Sequence, residues 1–148
     1  MEHNGKNMLT AQATVSAPME QVWECWTNPA HITQWTFASD DWHAPWAEND
    51  FRVGGKFATR MEAKDGSFGF DFGGIYDEIV PHARIAYTMG DGRVVIVTFE
   101  QMMDGVTVTE KFEAEQMSPL DMQQAGWQAI LNNFSRYTMG IGGEGLHP

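Results

Sequence analysis

Cysteine is almost absent from this chain of 148 residues, where Cys25 stands alone. One thiol cannot close an internal disulfide, and the multi-cysteine spacing of a zinc site or a stapled secreted scaffold is missing, so a reducing cytoplasm is the expected setting. Positive charge is also scarce. Nine Lys and Arg face 20 Asp and Glu, giving a formal net charge of −11, and so few cations cannot displace the counterions of a phosphate backbone. Neither nucleic acid nor an anionic membrane surface is expected as a partner. Long apolar runs are missing as well. The longest aliphatic run, residues 94–97, falls far short of the ~20 residues that span a bilayer, and the polar segment 1–7 lacks the apolar centre of a signal peptide. The five histidines, at 3, 31, 43, 82 and 147, show no metal-ligand spacing, so neither a metal nor a cofactor is expected. Gly54-Gly55 and Gly73-Gly74 lie within strand patterns and have no following Lys-Ser/Thr. They read as a hairpin turn and a bulge rather than phosphate cradles.

What the chain does have is a large apolar fraction, 43%, including six Trp, nine Phe and three Tyr. A chain of this length buries about 68 to 70% of its unfolded surface, which suits one domain, residues 1–148, with an ordered core over about 8–140 and loose ends. An extended run at 10–16 is followed by Pro18, suited to a first helical position, and then by Met19, Val22, Trp23 and Trp26 at helical spacing until Asn28-Pro29. A second short helix is expected at about 30–34. The middle of the chain then alternates with period two between Gly54-Gly55, Asp65-Gly66, Pro81-His82, Asp91-Gly92 and Asp104-Gly105. These pairs predict hairpins, an antiparallel meander of about six strands and a sheet of about seven once the first strand joins it. Ser118, Pro119 and Asp121 open a long final helix, and Gly140, Gly142 and Gly143 end its pattern.

One helix covers one face of such a sheet, so each strand alternates between helix-facing and solvent-facing residues. Phe68, Phe70, Phe72, Gly74 and Tyr76 share the inner face with Phe57, Met61, Ile85, Tyr87, Met89, Val95, Val97, Phe99, Val106, Val108 and Phe112. The helix offers Leu120, Trp127, Ile130, Leu131, Phe134 and Tyr137, and Gly126 in its interior suggests close backbone approach. A straight helix leaves part of a curved sheet's hollow open, which Gly74 would enlarge.

The run Val15-Ser16-Ala17-Pro18-Met19-Glu20-Gln21-Val22-Trp23, with Trp26-Thr27-Asn28-Pro29 and Trp35, resembles the opening of the activator of heat-shock-protein ATPase homologue family in the START-like SRPBCC superfamily. Asp50-Phe51-Arg52-Val53-Gly54-Gly55-Lys56-Phe57, Gly74-Ile75-Tyr76-Asp77-Glu78-Ile79-Val80-Pro81 with Arg84-Ile85, and Gly126-Trp127 with Leu131 and Phe134 are similar to the same family. The match spans about residues 8–137. It implies an α+β helix-grip fold, in which a strand, two short helices, six antiparallel strands and a long C-terminal helix enclose a hydrophobic cavity. It carries no catalytic set, because the shared residues are turn glycines, prolines and core aromatics, and fold alone does not settle function.

The expected role is binding of a small apolar or weakly polar molecule by Phe70, Phe72, Tyr76, Val97, Val108, Glu110, Trp127, Leu131 and Trp42. Glu110 stands out because alternation places it on the inner face, where desolvation would raise its pKa and prepare a general acid or base. The alternative is a solvated carboxylate at the cavity mouth. His43 sits in the segment 35–46, whose aromatics either lid the cavity or cover the open edge of the core, and it is a candidate proton carrier. Tyr76 either hydrogen-bonds a ligand or satisfies itself locally, and Cys25 reads as an inert thiol beside an apolar stripe. A cyclase-like or hydrolase-like enzyme would need Glu110, His43 or Tyr76 to converge on one cavity, Glu110 standing beside Tyr76 or His43. Stimulation of a chaperone ATPase is the least favoured role, because co-chaperones of the family carry an additional N-terminal domain for which residues 1–7 leave no room.

Overall fold

Alternating Thr, Ala and Val residues form the first strand, β1 (Met8–Val15), which buries Ala11 and Val15. Pro18, with φ fixed at −64°, then leads into α1 (Met19–Thr27), and Asn28 separates it from α2 (Pro29–Ile32). The Asn28 side chain accepts the Ala30 N–H at 2.9 Å, which satisfies one of the unpaired donors at a helix start. This short helix begins one residue earlier than expected and ends at Ile32. The computed structural model describes residues 7–145, with side chains through Ile141; of the loose ends expected outside 8–140, residues 141–145 continue the final helix, and 1–6 and 146–148 lie outside the described residues.

The meander follows as β2 (Trp42–His43), β3 (Ala47–Asn49), β4 (Lys56–Ala63), β5 (Gly69–Val80), β6 (Arg84–Met89), β7 (Val94–Met102) and β8 (Gly105–Glu113). All pairings are antiparallel in the order β1-β8-β7-β6-β5-β4-β2, with β3 also on β4. The turn glycines Gly54, Gly66, Gly92 and Gly105 have positive φ, as does His82 at 64°. The hairpin punctuation therefore lies where the sequence places it. The final helix, α3 (Leu120–Gly145), lies across the concave side, completing a curled antiparallel half-barrel that grips a long C-terminal helix.

Three local expectations are corrected. Gly73 and Gly74 do not form a bulge: both keep register, and the ladder shifts between Tyr76 and Glu78. A Cβ on Gly73 would lie 2.2 Å from the Phe57 carbonyl oxygen and one on Gly74 2.4 Å from that of Thr88. These glycines admit neighbouring strands instead, and Gly74 does not enlarge the hollow. Gly126 faces open space, with no atom within 4 Å of an added Cβ, so it marks no close approach. The helix also runs through Gly140, Gly142 and Gly143, because one glycine costs only about 1 kcal/mol and does not stop a helix already formed.

The helix is seated to one side. Gln128 of α3 accepts from the Gln12 N–H at 3.1 Å and donates to the Gln12 carbonyl at 2.9 Å, which fastens it along β1. Beneath this edge Leu131 and Phe134 join Val15, Val22, Val97, Val106 and Val108 in a sealed apolar core. Such burial of aliphatic side chains supplies about 1.5–3 kcal/mol each. Among the described residues, no helix is long and apolar enough to cross a membrane.

Candidate functional site

The sheet curls away from α3 on the side opposite β1, and there the two surfaces leave a cavity of about 480 Å³. Its walls are Trp127 and Ile130 from α3, Phe57 and Met61 from β4, Phe72 and Tyr76 from β5, and Tyr87 from β6, with Trp35 closing one end. Trp127 stacks on Phe112 with centroids 4.0 Å apart and planes 8° apart, and its edge meets Phe72 at 5.9 Å. The indole is thus held from the core side while facing the cavity. Charge gathers at the mouth, where Asp71, Asp91, Arg93 and Glu115 stand. Arg93 is fixed there by Asp91 at 2.8 Å and the Glu113 carbonyl at 3.4 Å.

Inside, the polar side chains divide into two groups. Thr36 donates to the Ile32 carbonyl at 2.6 Å, and Gln123 bridges Glu115 and Ser118, so both are occupied by the protein. Tyr76 donates to Asn49 Oδ1 at 2.7 Å, and burial raises its pKa. Glu110 and Tyr87 differ. Glu110 is 7% exposed, and desolvation alone pushes its pKa up to about 8 with neither a hydrogen bond nor a neighbouring charge to offset it. Tyr87, 4% exposed, is raised first by burial and then by the nearby Glu110 charge, and its hydroxyl has no hydrogen-bond partner among the described residues. A carboxylic acid and a phenol therefore present free polar atoms to an apolar space.

The structure brings Phe70, Phe72, Tyr76, Glu110 and Trp127 together around this cavity. It does not bring Val97, Val108 or Leu131 there. These are fully buried in the core behind the wall, because curvature closes the sheet onto α3 near β7 and β8. Trp42 and His43 stay outside as well. Trp42 packs against Phe68 and Phe70 at 6.0 and 6.1 Å, and His43 lies 3.6 Å from Glu62. Pairing of β2 with β4 holds this part of the segment 35–46 to the sheet edge, while Asn133 of α3 donates to the Trp35 carbonyl at 3.0 Å. The segment covers the core and is tied down on both sides. Cys25 is buried and its thiol pKa is raised by desolvation, as befits an inert sulfhydryl. Among the described residues, no three His, Cys, Asp or Glu side chains gather as metal ligands.

Strand alternation puts Tyr87 on the inner face without marking it as a site residue. The available signal was a polar tip directly on the concave face, one alternate position beyond Ile85. That its hydroxyl is free, while that of Tyr76 is used, depends on Asn49, a neighbour 27 residues from Tyr76 in the chain.

The family model described as Activator of Hsp90 ATPase homolog 1-like protein matches residues 16–138. Among solved structures, the solution structure of an AHSA1-like protein from Aeromonas hydrophila is 40% identical, over 95% of this chain and 96% of its own, with a TM-score of 0.85. A protein from Cytophaga hutchinsonii is 46% identical over 95% and 96% of the two chains, with a TM-score of 0.77. A crystal structure from Chromobacterium violaceum is 25% identical over 90% and 98%, with a TM-score of 0.81. No curated protein matches the chain.

Proposed function

The chain belongs to the Activator of Hsp90 ATPase homolog 1-like family, and we propose that it is a cytoplasmic binding protein for a small, mostly apolar molecule held between α3 and the concave sheet. The carrying observation is the 480 Å³ hollow lined by aromatic side chains. Interiors otherwise pack to crystal-like density, and ligand sites have volumes of about 300–1,000 Å³. A hollow of that size between buried aromatics loses contact energy when empty, which a ligand of complementary shape restores. The test is a titration of intrinsic tryptophan fluorescence with 2-ethylnaphthalene, with native mass spectrometry of the freshly purified protein to detect a retained molecule. Saturable quenching that disappears in Ile130→Trp, which fills the cavity from α3, supports the reading. Neither retention nor saturable binding would remove it.

Glu110 favours a second reading, an enzyme of cyclase or hydrolase type acting on a hydrophobic substrate in the same space. Glu110 and Tyr76 line the same cavity, although the Tyr76 hydroxyl is engaged by Asn49, and His43 lies outside it. Turnover lost in Glu110→Gln with unchanged substrate affinity would favour it over binding. Stimulation of a chaperone ATPase is supported by the family description alone, and the ATPase rate with and without the protein decides it.

A further inference from the structure

We propose that the ligand is a neutral, ring-containing molecule whose one strong hydrogen-bond acceptor oxygen is received by the carboxylic acid of Glu110, with the Tyr87 hydroxyl as a second donor. This assignment rests on the binding reading above and adds the chemistry of the polar end. Glu110 on β8 and Tyr87 on β6 both line the cavity from the concave face, with β7 between them. Each is more than nine-tenths buried, and no described residue supplies either with a hydrogen bond. The polar atoms of both open onto the hollow and are not sealed in protein, so their partner comes from whatever fills it, and leaving such a group unpaired once water is displaced costs about 1–3 kcal/mol.

The protonation state decides what that partner is. Desolvation, with no cation beside Glu110, keeps the acid protonated below about pH 8, so near neutrality it offers an O–H. Tyr87 is likewise held as a phenol. Two donors facing an apolar space select an acceptor. A cationic ligand would have to shed its own water and also ionise Glu110 in a medium that disfavours charge. An anionic ligand would meet Glu110 unfavourably and would find its cation, Arg93, at the mouth and already bound to Asp91. The walls fit this picture: Trp127, Phe72 and Phe57 can receive a ring system while its oxygen reaches the floor.

The groups that face the cavity from the other elements are mostly uncharged. From α3 come Gln123, Trp127 and Ile130, and from α2 and the following loop Ile32, Trp35 and Thr36, all uncharged. Tyr76 on β5 and Tyr87 on β6 are shifted upward. At the mouth, Asp91 is held below the usual carboxylate range because, against its desolvation, it accepts from the backbone and side chain of Arg93, and Glu115 is held below it by the backbone N–H of Met117, with Asp71 beside them.

The experiment compares four probes of one shape: 2-acetylnaphthalene, 2-ethylnaphthalene, 2-naphthylmethylamine and 2-naphthoate, titrated against the full chain by tryptophan fluorescence at pH 6, 7.5 and 9. At pH 6 the ketone is expected to bind about tenfold more tightly than the hydrocarbon, the worth of one hydrogen bond, and this advantage is expected to shrink at pH 9 as Glu110 ionises. Glu110→Leu should cut the advantage to the part that Tyr87 supplies and abolish its pH dependence. Glu110→Gln, which keeps an N–H donor but cannot ionise, should preserve it and abolish its pH dependence, and Tyr87→Phe should reduce it. Equal binding of ketone and hydrocarbon overturns the assignment while leaving the binding reading intact. Tightest binding of the amine or of naphthoate also overturns it, as does a ketone preference that survives undiminished in Glu110→Leu. Failure of all four probes overturns this assignment and the binding reading together.

Discussion

Glu110 carries a stability cost that its position makes measurable. In the unfolded chain its carboxyl titrates near 4.3, whereas in the folded protein it does so at about 8. The folded state therefore holds a proton that the unfolded state has released across that interval. A raised acid pKa gives stability that is full below the unfolded value and is lost as pH rises through the folded one. Urea unfolding at pH 5, 6.5 and 8 should show the wild type losing stability relative to Glu110→Gln, with a gap that widens by about 1–4 kcal/mol at roughly 1.4 kcal/mol per pKa unit. A constant gap would mean that the carboxyl is hydrated. Trp127 makes a second test. Replacing a fully packed Trp by Ala costs about 3–5 kcal/mol, but this indole stacks on Phe112 and leaves another face to the cavity, so Trp127→Ala should cost about 2 kcal/mol in chemical denaturation. A loss below about 1 kcal/mol would show that the stacking contributes little.

The elements differ in how far local chemistry determined them. Hairpins were legible because Asp65-Gly66, Asp91-Gly92 and Asp104-Gly105 each need a positive φ that glycine tolerates, and strand phase was legible because one buried face enforces alternation, which put Glu110 inward. The bulge was not. Its place after Tyr76, not at Gly73-Gly74, is set by how closely β4 and β6 approach β5, and a lone strand does not record that. The roles of the three interior glycines now separate cleanly. Gly126→Ala should stabilise the protein by up to about 1 kcal/mol, since the methyl meets nothing and the helix gains propensity. Gly73→Ala should destabilise it by about 1–3 kcal/mol by forcing β4 away. Both are read from denaturation midpoints, and an equal response at the two positions would refute the distinction.

At the scale of the whole molecule, the sequence showed that a helix would lie in a curved sheet but not on which side the space would remain. Val97, Val108 and Leu131 have the same apolar character as cavity residues, and they are sealed because the curved sheet closes onto α3 on the side where Gln128 fastens the helix to Gln12 of β1. Leu131→Ala should therefore lower stability by about 2–5 kcal/mol with probe affinity nearly unchanged. Met89→Ala, at the half-buried cavity wall, should alter affinity while leaving the melting temperature close to that of the wild type. An opposite pattern would mean that wall and core are one packing unit. The lopsided seating of α3 thus divides the chain into two inheritances. Residues under the β1 side answer to folding and tolerate little drift, whereas those on the β4 to β6 side answer to whatever the hollow must hold. If the hollow holds the proposed ligand, changes confined to the second set alter what fits there without first passing through an unstable ancestor.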